Sequence, residues 1–287
     1  MTRTATTAPG AVVPLLAVAG LRKTYRLPGG GRLTAADDVS FTVPRGGSLG
    51  IVGESGSGKS TVARTLVGLV RPDRGTVAVD GADRTPGRRG RARRDRLVRA
   101  REIQMVFQDP YVSLDPRLTA RQCLRVALRL HGHPAEDPQI EALLDQVGLG
   151  AREADARPHA LSGGQRQRLA IARALAVRPR ILVLDEAVAA LDVSVQAQIL
   201  QLLAEIRRDT GVALVFVSHD LSVVQHITDE TLVMRRGTVV EQGPTGRVLT
   251  DPEHAYTRLL LASVPREGWD PAAASGSGRA AVPVPEV

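Results

Sequence analysis

"SLGIVGESGSGKSTVARTLVGLV", residues 48–70, decides the fold. Ser48–Val52 is a short apolar run, and apolar residues recur at helical spacing from Lys59 onward. Between them Gly53, Gly58, Lys59 and Ser60 fill the pattern G-x-x-x-x-G-K-[ST]. Strand, glycine-rich loop and helix in that order make a phosphate cradle. The glycines, Gly56 included, let the backbone wrap closely so that successive N–H groups point inward. Glu54, Ser55, Ser57 and Thr61 complete the cradle. Lys59 is predicted to reach the β- and γ-phosphates of a nucleotide, and Ser60 to offer its hydroxyl to Mg²⁺.

Working outward, the order of elements reads as an α/β protein with an inserted helical lobe. "LLAVAGL" and "LTAADDVSFTVP" upstream read as strands of a partly exposed sheet, and "GTVAVDG" adds another bounded by glycines. From about Asp95 to Val177 helical patterns replace strands, with Ile140, Leu143, Leu144 and Val147 at helical spacing. "RILVLDE" and "VALVFVSHD" are continuous apolar runs. Between them "SVQAQILQLLAEIRRD" puts Val195, Ile199, Leu202, Leu203 and Ile206 on one helix face. Buried strands alternating with helices predict a parallel sheet covered on both sides. The final "WDPAAASGSGRAAVPVPEV" is predicted to be a disordered tail.

Bulk properties exclude several classes. No apolar run reaches the length of a membrane span. "AVVPLLAVAG" lacks a charged leader and contains Pro14, so it reads as the approach to a first strand. One cysteine, Cys123, rules out an internal disulfide or a four-thiolate centre, and its apolar helical setting predicts a small core residue. The net charge of +8 is concentrated. Between Arg84 and Arg101 nine arginines face one acid, Asp95, while the rest of the chain balances 29 bases against 29 acids. No aromatic residue lies in that run to stack a base, which argues against nucleic acid. A solvated face or a contact with anionic lipid remain as its readings.

Further chemistry sits at strand ends. Asp185 and Glu186 close the "ILVL" strand. The first suits a hard Mg²⁺ and the second is placed to polarise an attacking water. His219, ending "VFVSHD", could hydrogen-bond that water or the γ-phosphate. Gln108 in "MVFQDP" lies where the sheet lobe meets the helical one, and its amide can touch Mg²⁺ and water. A second glycine-rich turn, "LSGGQRQR" at Leu161–Arg168, opens an amphipathic helix and so presents free N–H groups to an anion, yet it has no lysine.

Together these motifs resemble the nucleotide-binding subunit of ABC transporters, from about Leu15 to Pro265. "GESGSGKS" resembles that family's phosphate loop, "VFQDP" its glutamine loop and "LSGGQRQR" its signature. "ILVLDE" corresponds to its magnesium-and-base strand, "ALD" at Ala190–Asp192 to its dimer-contact loop, and "SHD" to its switch histidine. The resemblance implies a P-loop ATPase fold over 15–265, with an N-terminal antiparallel β subdomain and a helical subdomain inserted at about 109–177. Residues 1–14 and 266–287 are expected to be flexible ends. It further implies that Tyr25 stacks on adenine and that Glu186, His219, Gln108 and Lys59 serve hydrolysis of ATP. Ser60, Gln108 and Asp185 would hold Mg²⁺.

In that family two subunits sandwich ATP head to tail. The missing lysine then has an explanation: Ser162, Gly163, Gly164 and Gln165 serve the nucleotide held by the opposite chain. Implied partners are a second ATPase subunit, membrane permeases on whose cytoplasmic face the protein sits, and indirectly an extracytoplasmic solute-binding protein. "FQDPYVSLDPRLT" and "PEHAYTRLLLASVP" resemble the peptide, dipeptide and nickel importer branch, in the subunit kind lacking a C-terminal iron–sulfur cysteine cluster. An accessory ATPase of a phosphonate-cleaving complex is the alternative, and a nucleic-acid-acting protein a more distant one. Ala187, Ala189 and Ala160 depart from that branch's usual proline, serine and acid.

Overall fold

The computed structural model describes residues 13–87 and 93–263, with side chains of the second segment from 96 onward. The expected flexible ends fall almost entirely outside these residues, as do Arg88, Arg89 and Arg91 of the basic run. Strand β1 (Leu16–Arg26) pairs antiparallel with β2 (Arg32–Val43). After β3 (Ser48–Val52) and helix α1 (Lys59–Leu66) the chain returns to that sheet as β4 (Arg74–Val79) and the short β5 (Ala82–Asp83). The antiparallel sheet has the order β2-β1-β4-β5.

Helix α2 (Arg93–Glu102) then runs without a loop into β6 (Ile103–Val106). Here the structure corrects the sequence reading, which made the whole of Asp95–Val177 helical. Ile103–Val106 is a strand because Ile103, Met105 and Val106 are buried against β7 (Ile181–Asp185), whose residues Ile181–Leu184 pair with it in parallel. The helical lobe follows: α3 (Ala120–Leu130), α4 (Asp137–Gln146), α5 (Ala151–Ala154) and α6 (Gly163–Leu175). Cys123 is buried in α3, as its apolar setting predicted.

The chain then alternates β7, α7 (Val193–Thr210), β8 (Ala213–Ser218), α8 (Leu221–Ile227) and β9 (Glu230–Arg235). It ends in β10 (Thr238–Pro244), α9 (Thr245–Thr250) and α10 (Ala255–Ala262). The main sheet has the order β10-β9-β3-β8-β7-β6, parallel throughout except for the β9–β10 hairpin.

Both faces of that sheet are covered, which is why its central strands are apolar without alternation. Val183, Val215 and Val217 point into a core shared with α1 and the antiparallel sheet. Leu182, Leu184, Leu214 and Phe216 point the other way, into a core with α6, α7 and α8. Helix α1 carries Val62, Ala63 and Leu66 into the first core, so the phosphate-type loop preceding it is clamped between two sheets. With parallel strands, the carboxyl ends of β3, β6, β7 and β8 share one edge. That edge is where open α/β sheets bind ligands.

Candidate functional site

The loop after β3 is shaped by two glycines that no other residue could replace. Gly53 has φ 147° and Gly58 φ 107°. A Cβ on Gly53 would lie 2.2 Å from the Met234 carbonyl oxygen, and one on Gly58 would lie 1.9 Å from that of Ala35. The loop is thus pressed against β9 and β2 by backbone contacts, and the Gly237 N–H donates to the Ser57 carbonyl at 2.9 Å. Lys59 opens α1 with its side chain buried, and its Nζ donates to the carbonyls of Gly53 and Glu54, both at 2.8 Å. Burial lowers its pKa, opposed by the carboxylates of Glu186, Asp185 and Glu54. A cation held this way by loop carbonyls is poised to exchange them for a stronger anionic partner.

Next to it, the Ser60 Oγ donates to Asp185 Oδ1 at 2.8 Å. Asp185 ends β7, and burial raises its pKa against the Ser60 hydrogen bond and the Arg64 guanidinium 4.0 Å away. A serine hydroxyl and a buried carboxylate converging beside a phosphate cradle are hard oxygen donors of the type Mg²⁺ takes. Gln108 stands exposed two residues beyond Val106, and Glu186 two beyond Leu184; the register pairs Val106 with Leu184, so both side chains leave the same sheet edge.

Glu186 holds a left-handed backbone at φ 50°, unusual for a residue other than glycine, and its N–H donates to the Val217 carbonyl at 3.0 Å. Backbone strain of this kind costs about 1–3 kcal/mol and clusters at functional sites. Its Oε1 lies 3.5 Å from Nδ1 of His219, which follows β8 and is exposed to solvent. Lys59, Ser60, Asp185, Glu186 and His219 are therefore brought to one edge. Tyr25, near the end of β1, is 36% exposed with the Lys23 ammonium 5.3 Å from its ring centre, leaving an aromatic surface open.

The second glycine turn is built differently. Ser162 caps α6 with a reciprocal pair: its Oγ accepts from the Gln165 N–H at 3.2 Å and its own N–H donates to Gln165 Oε1 at 2.9 Å. The Gln165 Nε2 donates to Glu153 at 3.2 Å, so this side chain orders the turn rather than facing outward. Gly164 is needed for packing, because a Cβ there would lie 2.6 Å from Cγ1 of Val195 on α7. Among the described residues no hydrogen bond or ion pair joins Ser162–Gln165 to the Gly53–Ser60 loop. Asp192 caps α7, accepting from the Val195 N–H at 2.9 Å.

Side chains outside the sequence-predicted set also reach the site: Arg64, beside Asp185, and Tyr256 on α10, whose hydroxyl accepts from the Glu54 N–H at 3.1 Å. Only "PEHAYTRLLLASVP" hinted at the second, and nothing in that stretch points to a phosphate loop. Three arginines of the basic run make internal contacts. Arg84 pairs with Glu102 through two nitrogens, the Arg99 Nη1 donates to the Arg84 carbonyl at 3.0 Å, and the Arg101 Nη2 donates to that of His131 at 2.7 Å.

Residues 36–189 match the ABC transporter family model. The chain is 46% identical over 260 residues to the "Probable peptide ABC transporter ATP-binding protein" of Sinorhizobium fredii, covering 88% of this chain and 72% of that one. It is 46% identical to an oligopeptide transport ATP-binding protein of Mycobacterium tuberculosis, spanning 42% of that protein's length. Similarity to a glutathione import ATP-binding protein of Salmonella typhimurium is 44%, over 41% of its length. The chain thus spans about two fifths of the latter two relatives. Among solved structures, cbiO1 from Clostridium perfringens, part of an ABC transporter complex, superposes with a TM-score of 0.73 at 27% identity, covering 84% of this chain and 93% of that one. The dimeric, post-hydrolysis cassette MJ0796 bound to ADP and Pi superposes with 0.71 at 29% identity, covering 80% and 98%.

Proposed function

This chain belongs to the ABC transporter family and carries its ATPase domain, and from that premise we propose that it powers import of a peptide or a similar small solute by binding and hydrolysing ATP. The observation that carries this reading is the convergence of Lys59, Ser60, Asp185, Glu186 and His219 at one sheet edge. Lys59 Nζ exchanges the Gly53 and Glu54 carbonyls for the β- and γ-phosphates, where its charge meets charge. The loop N–H groups and the start of α1 hold the remaining phosphate oxygens. Ser60, Asp185 and Gln108 would hold Mg²⁺, which when bound neutralises charge on the phosphates. Glu186 takes the proton of the attacking water, and His219, 3.5 Å away, orients it and senses the γ-phosphate. Tyr25 offers its ring to adenine.

The signature turn, Ser162–Gln165, serves the nucleotide of a second ATPase subunit; the dimeric solved relatives favour that arrangement. No described helix is long and apolar enough to cross a membrane. In this reading permease subunits attach the chain to the membrane, as the transporter-subunit names of its relatives suggest, and a solute-binding protein outside the membrane selects the cargo. The test is Mg²⁺-dependent ATP hydrolysis by the purified chain, and its stimulation by permeases reconstituted with a peptide-binding protein. Release of phosphate at the rate of a protein-free control would sink the reading.

A further inference from the structure

The Gly53–Glu54 peptide bond is held at both of its polar groups. Its carbonyl oxygen accepts from Lys59 Nζ at 2.8 Å, and its N–H donates to the hydroxyl of Tyr256 at 3.1 Å. The two partners differ in permanence. Lys59 must leave this carbonyl to reach a phosphate, whereas Tyr256 has no such call on it. Tyr256 is 2% exposed, and its ring lies under the Arg235 guanidinium, 4.7 Å from the ring centre.

Its segment is anchored independently of the loop. The Glu241 carboxylate on β10 accepts the N–H groups of Glu253 at 2.8 Å and His254 at 3.1 Å. His254 Nδ1 in turn caps α10 by accepting the Tyr256 N–H at 3.0 Å. Arg258 closes the turn on the carbonyls of Pro252, at 3.0 Å, and Glu253, at 2.8 Å. A rigid C-terminal segment thus carries one hydroxyl to one peptide of the loop, 202 residues away.

We propose that Tyr256 is a positioning residue for nucleotide binding: it holds the Gly53–Glu54 peptide in place when Lys59 turns from the loop carbonyls to the phosphates. It does not touch substrate. Its contribution is small while Lys59 holds the same peptide and larger once that lysine has left, so it favours the nucleotide-bound state. This rests on the ATPase reading above. Tyr256→Phe removes only the hydroxyl and keeps the ring beneath Arg235. Loss of one neutral hydrogen bond predicts a dissociation constant for a fluorescent ATP analogue raised about threefold to tenfold. KM for ATP should rise in parallel, with kcat within about twofold.

A merely structural tyrosine would instead lower the melting temperature of the nucleotide-free protein and leave the dissociation constant unchanged, and that result overturns the proposal. Glu241→Gln loosens the anchor while leaving the hydroxyl in place, and should move the dissociation constant the same way by less. It decides the matter if Tyr256→Phe does not fold, an unchanged value again overturning the role. Absence of analogue binding by the wild-type chain would count against the ATPase reading rather than against Tyr256.

Discussion

The two glycine-rich turns of this chain look alike in sequence and differ in what their glycines are for. In Gly53–Ser60 two of the glycines, Gly53 and Gly58, hold left-handed backbone angles and lie against carbonyls of β9 and β2. That turn ends in the buried Lys59 and in Ser60, whose hydroxyl meets the Asp185 carboxylate at the end of β7. In Ser162–Gln165 the glycines are ordinary first-turn helix residues, and only the approach of Val195 excludes a side chain from Gly164. Its serine is exposed, and the neighbouring Arg166 guanidinium is turned to the Leu161 carbonyl, its Nη1 donating at 2.7 Å. One turn gathers a cation, a hydroxyl and a carboxylate about its backbone; the other is an ordered helix start with an exposed serine.

The largest effects should fall on the complete site. Glu186→Gln keeps size and polarity but cannot take a proton, so turnover should fall by about 10²–10⁴-fold while ATP still binds and traps a dimer. Size-exclusion chromatography with ATP reads the second outcome. Native-rate hydrolysis would remove Glu186 from the mechanism. Lys59→Ala should cost about 10²–10³-fold in turnover and, unlike Glu186→Gln, should also weaken binding of the nucleotide.

Substituting the glycines themselves separates the turns further. In Gly58→Ala the new methyl meets the Ala35 backbone, so trimming a neighbouring side chain cannot relieve it, and nucleotide binding should be lost. Gly164→Ala overpacks a side chain instead, at about 1–3 kcal/mol. Val195→Ala in the same chain should recover most of that loss in a melting experiment. Failure of the rescue would mean that Gly164 is needed for more than packing.

The smallest effect concerns stability at Asp185. Burial raises its pKa, so the ionised carboxylate at neutral pH is a cost to the folded state, relieved as pH falls through that raised value. Asp185→Asn should therefore raise the melting temperature of the nucleotide-free protein at pH 7, and the difference should narrow in acid. Turnover should be lost in the same variant. A lower melting temperature would show that Ser60 and Arg64 more than offset the burial.

Most of the site was legible in the sequence because its residues follow apolar strands directly. Asp185, Glu186 and His219 each close a continuous apolar run, and Lys59 follows another across a glycine-rich loop, at the start of α1. Strand β6 was not legible. It is four residues long, contains Gln104, and joins α2 without a turn, so only its pairing with β7 defines it. Tyr256 was hidden for a different reason, since its partner Glu54 is distant in the chain and the contact exists only once β10 and α10 are packed. Within the basic run, Arg84 meets the Glu102 carboxylate, Arg99 the carbonyl of Arg84 and Arg101 that of His131, contacts that composition does not show.

Whether the signature turn works on another chain's nucleotide is tested most directly with mixed dimers carrying Ser162→Arg and Glu186→Gln, isolated through two affinity tags. Placed on separate chains, both lesions fall in one composite site, because the base of one chain faces the signature of the other; the second site stays intact and partial ATPase activity should remain. Placed together on one chain opposite a wild-type partner, they damage both sites, and activity should vanish. If Ser162 instead served its own chain's nucleotide, the order would invert. Equal activity in the two arrangements, or the inverted order, would contradict the account.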